Sequence, residues 1–96
     1  MSEYLERAFS PAMLGGLELK NRVIKAATYE GKTPDGIPGD LLLDFHREIV
    51  RGGTAMTTIG YGTTEAGGRS SDQMMYRDEA NRQQLTTLTA ELKKTA

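Results

Sequence analysis

Few side chains in this sequence of 96 residues could do acid–base or nucleophilic chemistry at neutral pH. There is no cysteine and one histidine, which excludes a cysteine nucleophile, a disulfide framework and a cluster of several histidines around a metal. Histidine is the side-chain type suited to acid–base chemistry near neutral pH, and the single histidine of this chain is His46. It lies in a predicted helix beside an apolar stripe, so we interpret it as a structural helix residue. The sequence indicates no catalytic residue and no metal ligand.

The overall composition is that of one small globular domain. Hydrophobic residues make up 38% of the chain, charged residues 26%, and the net charge is −1, which excludes a disordered composition. Lysines and arginines are scattered and form no basic stripe, so we expect no nucleic-acid partner. The acidic N-terminus has no apolar segment, so we expect neither a secretion signal nor a membrane span, and a cytoplasmic location.

Turn residues and periodic apolar residues divide the chain into alternating strands and helices. The predicted elements, in order, are a strand at 17–20 after a Gly15-Gly16 turn, a strand at 23–27, a loop at 28–39, a helix from an Asp40 N-cap to Gly52-Gly53, a strand at 54–59, a loop at 60–76 and a final helix capped by Asp78. The apolar residues at helical spacing are Leu41, Phe45 and Ile49, flanked by Leu42 and Val50, and then Leu85, Leu88 and Leu92.

This alternation predicts a parallel sheet with helical crossovers, in which function collects at the carboxyl ends of the strands. Both long loops follow strands. Two β/α units cannot close a sheet, so we expect a piece of a larger fold. One alternative is a non-catalytic module that associates through its open sheet edges, as a homo-oligomer for example. Another is a different α/β enzyme, either another barrel or a doubly wound mononucleotide binder, although no glycine-rich phosphate motif follows the first strand as the doubly wound fold would require.

Five short motifs in register resemble the opening of Old Yellow Enzyme-type NADH:flavin oxidoreductases. They are Leu19-Lys20-Asn21-Arg22 leading into Val23-Ile24-Lys25-Ala26-Ala27-Thr28, then Thr33-Pro34-Asp35-Gly36 before the helix with Phe45-His46-Arg47, Arg51-Gly52-Gly53, Glu65-Ala66-Gly67-Gly68-Arg69, and Asp78-Glu79. The resemblance implies the N-terminal portion of a (β/α)8 TIM barrel. Residues 1–96 would be an incomplete FMN-binding domain, with a hairpin region at 1–20 and the first two β/α units at 21–96.

The same resemblance implies an enzyme in the full-length protein. FMN would take a hydride from NADH or NADPH and pass it to an activated alkene, typically an α,β-unsaturated carbonyl compound. The residues that complete such a site lie further along the family's chain than residue 96. We therefore expect residues 1–96 alone to be inactive.

The resemblance also implies which residues lie against the flavin. They are Ala26, Ala27, Thr28 and Tyr29 at the end of the first barrel strand, and Gly60 and Tyr61 at the end of the second. Contact through the backbone depends little on the side chain. Tyr29 stands where the family often has a Cys or Thr that hydrogen-bonds near flavin O4. Tyr61 stands where a small residue is usual.

Three further features of the sequence have a structural interpretation. Lys25 could reach a phosphate or a carbonyl group, but a lysine inside the barrel, or one whose stem lies along the sheet, is favoured. Arg69 could reach substrate or cofactor, or brace its glycine-rich loop. Met74-Met75-Tyr76 is typical of packing under a loop.

Overall fold

The computed structural model describes residues 2–60, 62–69, 71 and 74–95. The helices are α1 (Glu3–Ala8), α2 (Asp40–Arg51) and α3 (Glu79–Thr95), and the strands are β1 (Ala12–Leu14), β2 (Leu17–Leu19), β3 (Ile24–Lys25), β4 (Met56–Thr57), β5 (Gly62–Thr63) and β6 (Met75–Tyr76). Two 3-10 turns, Pro34–Gly36 and Ala66–Gly68, lie in the long loops. The fold is mixed α/β, and the described residues do not close a barrel.

The N-terminal region contains a short helix that the sequence pattern did not predict. The side chain of Ser2 caps α1 by accepting a hydrogen bond from the backbone of Leu5 at 3.3 Å, and two glutamates favour the first turn. Six residues are too few to show helical periodicity, which is why the pattern missed it. The predicted hairpin follows: β1 and β2 pair antiparallel around Gly15, whose φ is +59°.

The first β/α unit has the predicted parallel arrangement. β3 pairs with β4 in the register Ile24↔Met56 and Lys25↔Thr57, with α2 as the crossover. The paired segments are shorter than the predicted strands at 23–27 and 54–59 because each strand has one neighbour here. Since the two strands are parallel, both carboxyl ends lie at the same edge of the sheet.

Two details of α2 differ from the prediction. The helix begins at Asp40 itself, after Gly39, and has no side-chain cap. Its buried residues are Leu42 and His46, four positions apart, whereas Leu41 of the predicted stripe is 55% exposed. The buried face of α2 is therefore shifted by one residue from the predicted stripe. Leu42 packs against α3, and His46, one turn later, faces Thr57 of β4. The helix ends at Gly52-Gly53 as predicted, with Gly53 at φ +103°.

The last helix, α3, has the predicted Asp78 cap, and its predicted apolar residues lie in the core. The Asp78 carboxylate accepts a hydrogen bond from the backbone N–H of Asn81 at 2.7 Å. Leu88 and Leu92 form the buried core with Leu42, and Leu85 packs against them from a half-buried position. Of the described helices, none is long and apolar enough to cross a membrane.

The segment predicted as a plain loop at 60–76 contains a small parallel pair. β5 and β6 pair in the register Gly62↔Met75 and Thr63↔Tyr76. Two-residue strands have no periodicity that a sequence pattern could reveal. Met74 is buried, which confirms the predicted packing under the loop.

Candidate functional site at the strand ends

The two segments predicted to face a flavin lie side by side. The backbone of Gly60, after β4, contacts the carbonyl of Thr28, after β3, so closely that a Cβ atom at Gly60 would overlap the Thr28 oxygen. Glycine is therefore required at position 60 by the approach of the two chains. The structure brings residues 26–29 and Gly60 together; the remaining predicted residue, Tyr61, lies outside the described residues.

The strand end after β3 is open and carries small side chains. Ala26, Ala27 and Thr28 are all exposed. Tyr29 is 51% exposed, and its hydroxyl hydrogen-bonds the Ser71 hydroxyl at 3.0 Å. This bond joins the first long loop to the second. A phenol hydroxyl both donates and accepts, so the bond to Ser71 is compatible with a further contact.

Behind the open strand ends lies a buried carboxylate that the sequence analysis did not single out. The side chain of Glu30 is 3% exposed, and its Oε2 lies 2.7 Å from His46 Nε2 and 3.2 Å from Lys25 Nζ. Its Oε1 accepts a hydrogen bond from the Gly60 backbone at 3.1 Å. A glutamate in the loop after the first barrel strand, in a chain with one histidine and a strand lysine, was the signal available in the sequence.

The Lys25 ammonium lies beside the helix layer and reaches carbonyl groups, one of the contacts that the sequence allowed. Its ammonium lies 5.8 Å from the centre of the Phe45 ring on α2. It donates hydrogen bonds to the carbonyls of Ala26 at 2.9 Å and Thr58 at 3.2 Å. The lysine therefore ties the ends of β3 and β4 together, because burial of its charge requires these acceptors and Glu30.

His46 belongs to the helix layer, as predicted, but is completely buried. Its Nδ1 lies 2.6 Å from the Thr57 hydroxyl and its Nε2 lies against Glu30. The Nε2 and Oε2 atoms are both buried, and they meet at 2.7 Å as a close polar contact without hydrogen-bond geometry. The hydrogen bond that fixes the ring is the one between Nδ1 and the Thr57 hydroxyl.

The second loop is braced in the way predicted for Arg69. Its guanidinium lies 5.0 Å from the centre of the Tyr76 ring, and its Nε donates to the Ala66 carbonyl at 3.3 Å. The Tyr76 ring packs on Gly36. The buried side-chain amide of Asn81 donates hydrogen bonds to the backbone carbonyls of Gly36 at 3.1 Å and Tyr76 at 2.7 Å. These contacts connect the two long loops to the start of α3.

A cavity of about 410 Å³ lies between α2 and the start of α3. Its lining comes from the two helices and the turn before α2, with no residue from the predicted strand ends. In the part of the chain that the structure describes, no three acidic or histidine side chains are grouped to hold a metal. The arrangement that could hold a ligand is the open, small-residue surface over the strand ends.

Comparisons with known proteins relate the chain to reductases. It is 49% identical over 71 residues to a 4,4'-dithiodibutanoate disulfide reductase of Rhodococcus erythropolis, covering 74% of this chain and 18% of that protein. It is 42% identical over 52 residues to a metal reductase of Desulforamulus reducens, covering 54% of this chain and 8% of that protein. No protein-family model matches the chain. The chain thus spans less than a fifth of the length of these curated relatives.

Solved structures share the fold. Morphinone reductase in complex with tetrahydroNAD superposes with a TM-score of 0.81 at 22% identity, over 93% of this chain and 24% of that one. A 2-naphthoyl-CoA reductase complex gives a TM-score of 0.85 at 24% identity, over 94% of this chain and 14% of that one.

The fold and the relatives define the class: the chain has the mixed α/β fold of the corresponding part of TIM-barrel reductases. Within that class, the resemblance to the N-terminal part of Old Yellow Enzyme family members, such as morphinone reductase, is confirmed.

Proposed function

We propose that the full-length protein is an FMN-dependent NAD(P)H oxidoreductase, and that residues 1–96 form the first part of its FMN-binding barrel. In this proposal the flavin ring lies against residues 26–29, Gly60 and Tyr61. The observation that carries the proposal is the direct contact between the Thr28 and Gly60 backbones at the shared carboxyl edge of β3 and β4. In barrels, this edge is where cofactors and substrates bind.

The residues present fit a flat aromatic cofactor. The exposed side chains of Ala26 and Ala27 are small, and Gly60 has none, so a planar ring could reach the backbone over both strand ends. The charges of Lys25 and Glu30 are paired with each other, with an N···O distance of 3.2 Å.

The role of this part of the chain is to hold and orient the cofactor. FMN, when bound, supplies hydride transfer from NADH or NADPH to an acceptor. The backbones of Ala27 and Thr28 would contact the edge of the ring, and the Tyr29 hydroxyl would lie near O4. A hydrogen-bond donor there stabilises negative charge on the ring and so makes reduction easier. No residue of this segment is proposed to transfer a proton to the substrate.

Two acceptor classes are consistent with the relatives. The family resemblance favours an alkene conjugated to a carbonyl, which gains a hydride and a proton. The relative with 49% identity is named for disulfide reduction, which favours a disulfide as the second candidate. There, a hydride and a proton break the S–S bond and give two thiols. Identity to this relative is about twice that to the solved reductases, which is why the disulfide is kept as an alternative.

Anaerobic reduction of the purified full-length protein tests the proposal. NADH or NADPH should bleach the visible absorbance of bound flavin, and an enone or a disulfide should restore it. The acceptor that restores the colour faster identifies the class. A full-length protein that purifies without flavin, and does not bind added FMN, would refute the proposal and favour a non-catalytic module. Residues 1–96 alone should bind FMN weakly or not at all, because they cover one side of the ring.

A further inference from the structure

A buried polar cluster with no role in the proposed chemistry lies between α2 and the strand ends. It consists of Lys25, Glu30, His46 and Thr57. Resting on the FMN site proposed above, we propose that Glu30 is a positioning residue, which orients the peptide before Gly60 against the flavin by holding its N–H from the helix side.

The Glu30 carboxylate joins three elements through its two oxygens. Oε1 accepts from the Gly60 N–H beyond β4 at 3.1 Å. Oε2 binds the Lys25 ammonium of β3 at 3.2 Å and His46 of α2 at 2.7 Å. No shorter acidic side chain could reach all three groups from the same backbone position. The side chain therefore sets the distance between the two strand ends and the helix.

The burial of this carboxylate means that its partners must be kept. With 3% of its side chain exposed, an ionised carboxylate is stable only when it is paired and hydrogen-bonded. Lys25 supplies the opposite charge, and His46, itself held by Thr57, places its Nε2 atom 2.7 Å from Oε2. Loss of the carboxylate charge would leave the Lys25 ammonium without its counter-charge, so the cluster acts as a unit.

The direction of the Gly60 N–H has a consequence for the open side. The chain has no cis peptide bond among its described residues, and the N–H and C=O of a trans peptide point in opposite directions. Glu30 draws the Gly60 N–H toward the cluster, so the carbonyl of Ile59 points away from it. That carbonyl is an acceptor suited to a flavin ring N–H, and Glu30 determines its orientation.

Two substitutions at Glu30 separate charge from length. Glu30→Gln keeps the shape and an acceptor for Gly60 but removes the charge. Glu30→Asp keeps the charge but is one methylene too short to reach both Gly60 and His46. The matched control is Asp44→Asn, a carboxylate-to-amide change on the exposed face of α2, where the Asp44 side chain is 67% exposed. Thr57→Val removes the hydroxyl that holds His46 with little change in volume.

FMN titration of the full-length apoprotein, followed by flavin fluorescence, tests the inference. We expect about tenfold weaker binding for both Glu30 variants, a smaller loss for Thr57→Val, an altered visible flavin spectrum, and no change for Asp44→Asn. If a Glu30 variant does not fold, Thr57→Val alone decides the outcome.

The outcomes distinguish the two proposals. If the wild type binds FMN and the variants bind it with the same affinity and the same spectrum, the positioning role alone is overturned, even if the variants have lower melting temperatures. A wild-type protein that binds no FMN would overturn the proposed function, and this inference with it.

Discussion

The most informative single substitution is Gly60→Ala. The added Cβ would overlap the Thr28 carbonyl oxygen, with the Thr28 carbonyl carbon at 2.8 Å and its nitrogen at 2.9 Å. All three atoms belong to the backbone, so no side chain can rotate away. The strand ends must move apart, and this stretches the bond from the Gly60 amide to Glu30, now 3.1 Å.

The size of the effect follows from these two losses. Forcing a methyl group into a packed site costs about 1–3 kcal/mol, and a hydrogen bond to a charged acceptor contributes about 1.5–3 kcal/mol. Partial relaxation reduces the sum of these two costs. We therefore expect a total free-energy cost of about 3 kcal/mol for Gly60→Ala, which corresponds to about two factors of ten in an equilibrium constant. In the free protein the strand ends can separate, and FMN binding must bring them back together.

Isothermal titration of the full-length protein with FMN measures this cost, and chemical denaturation measures the loss of stability. The matched control is Gly67→Ala in the second loop, where a new Cβ meets nothing within 4 Å and φ is not positive. We expect the control to bind FMN like the wild type. A Gly60→Ala protein with wild-type stability and wild-type FMN affinity would refute the packing of the strand ends described above.

Three further predictions concern stability and titration. Leu42→Ala, in the centre of the core, should destabilise the protein by about 2–5 kcal/mol in chemical denaturation; a loss below 1 kcal/mol would contradict its burial. Gly36→Ala should lower the melting temperature, because Gly36 has φ +78° and a Cβ there meets the Tyr76 ring; an unchanged value would contradict this contact. The pKa of Glu79 is lowered below its ordinary 4.5, chiefly by the hydrogen bond from Arg82. The stability from this pair should be fully present above pH 4.5 and lost as pH falls through the lowered pKa, and an NMR titration giving a pKa of 4.5 or more would contradict it.

Local signals in the sequence predicted the boundaries of the fold well. Gly52-Gly53 and the Asp78 cap act within one turn of a helix, so their physical effect is contained in the neighbouring residues. The order of β3, α2, β4 and α3 was predictable for the same reason, whereas α1, β5 and β6 are too short to give a periodic signal. The exposure of Leu41 was not, because the rotation of α2 depends on Leu88 and on other residues far along the chain.

The candidate site was only partly predictable for a related reason. The family resemblance predicted that Thr28 and Gly60 lie at the same edge of the sheet, and the structure shows their backbones in contact. Glu30 was missed because its partners lie on three different elements, and a charged residue in a loop is normally exposed. The pairing of Lys25 with Glu30 belongs to the same cluster and was missed for the same reason. Such long-range pairing has no periodic signal in a sequence.

A crystal structure of the full-length protein with FMN tests the proposed flavin site most directly. We expect the isoalloxazine ring on the open side of β3 and β4, within hydrogen-bond distance of the backbone at residues 27 and 28 and facing the peptide before Gly60. A flavin bound at another edge of the sheet, or on the α2 side of these strands, would contradict it.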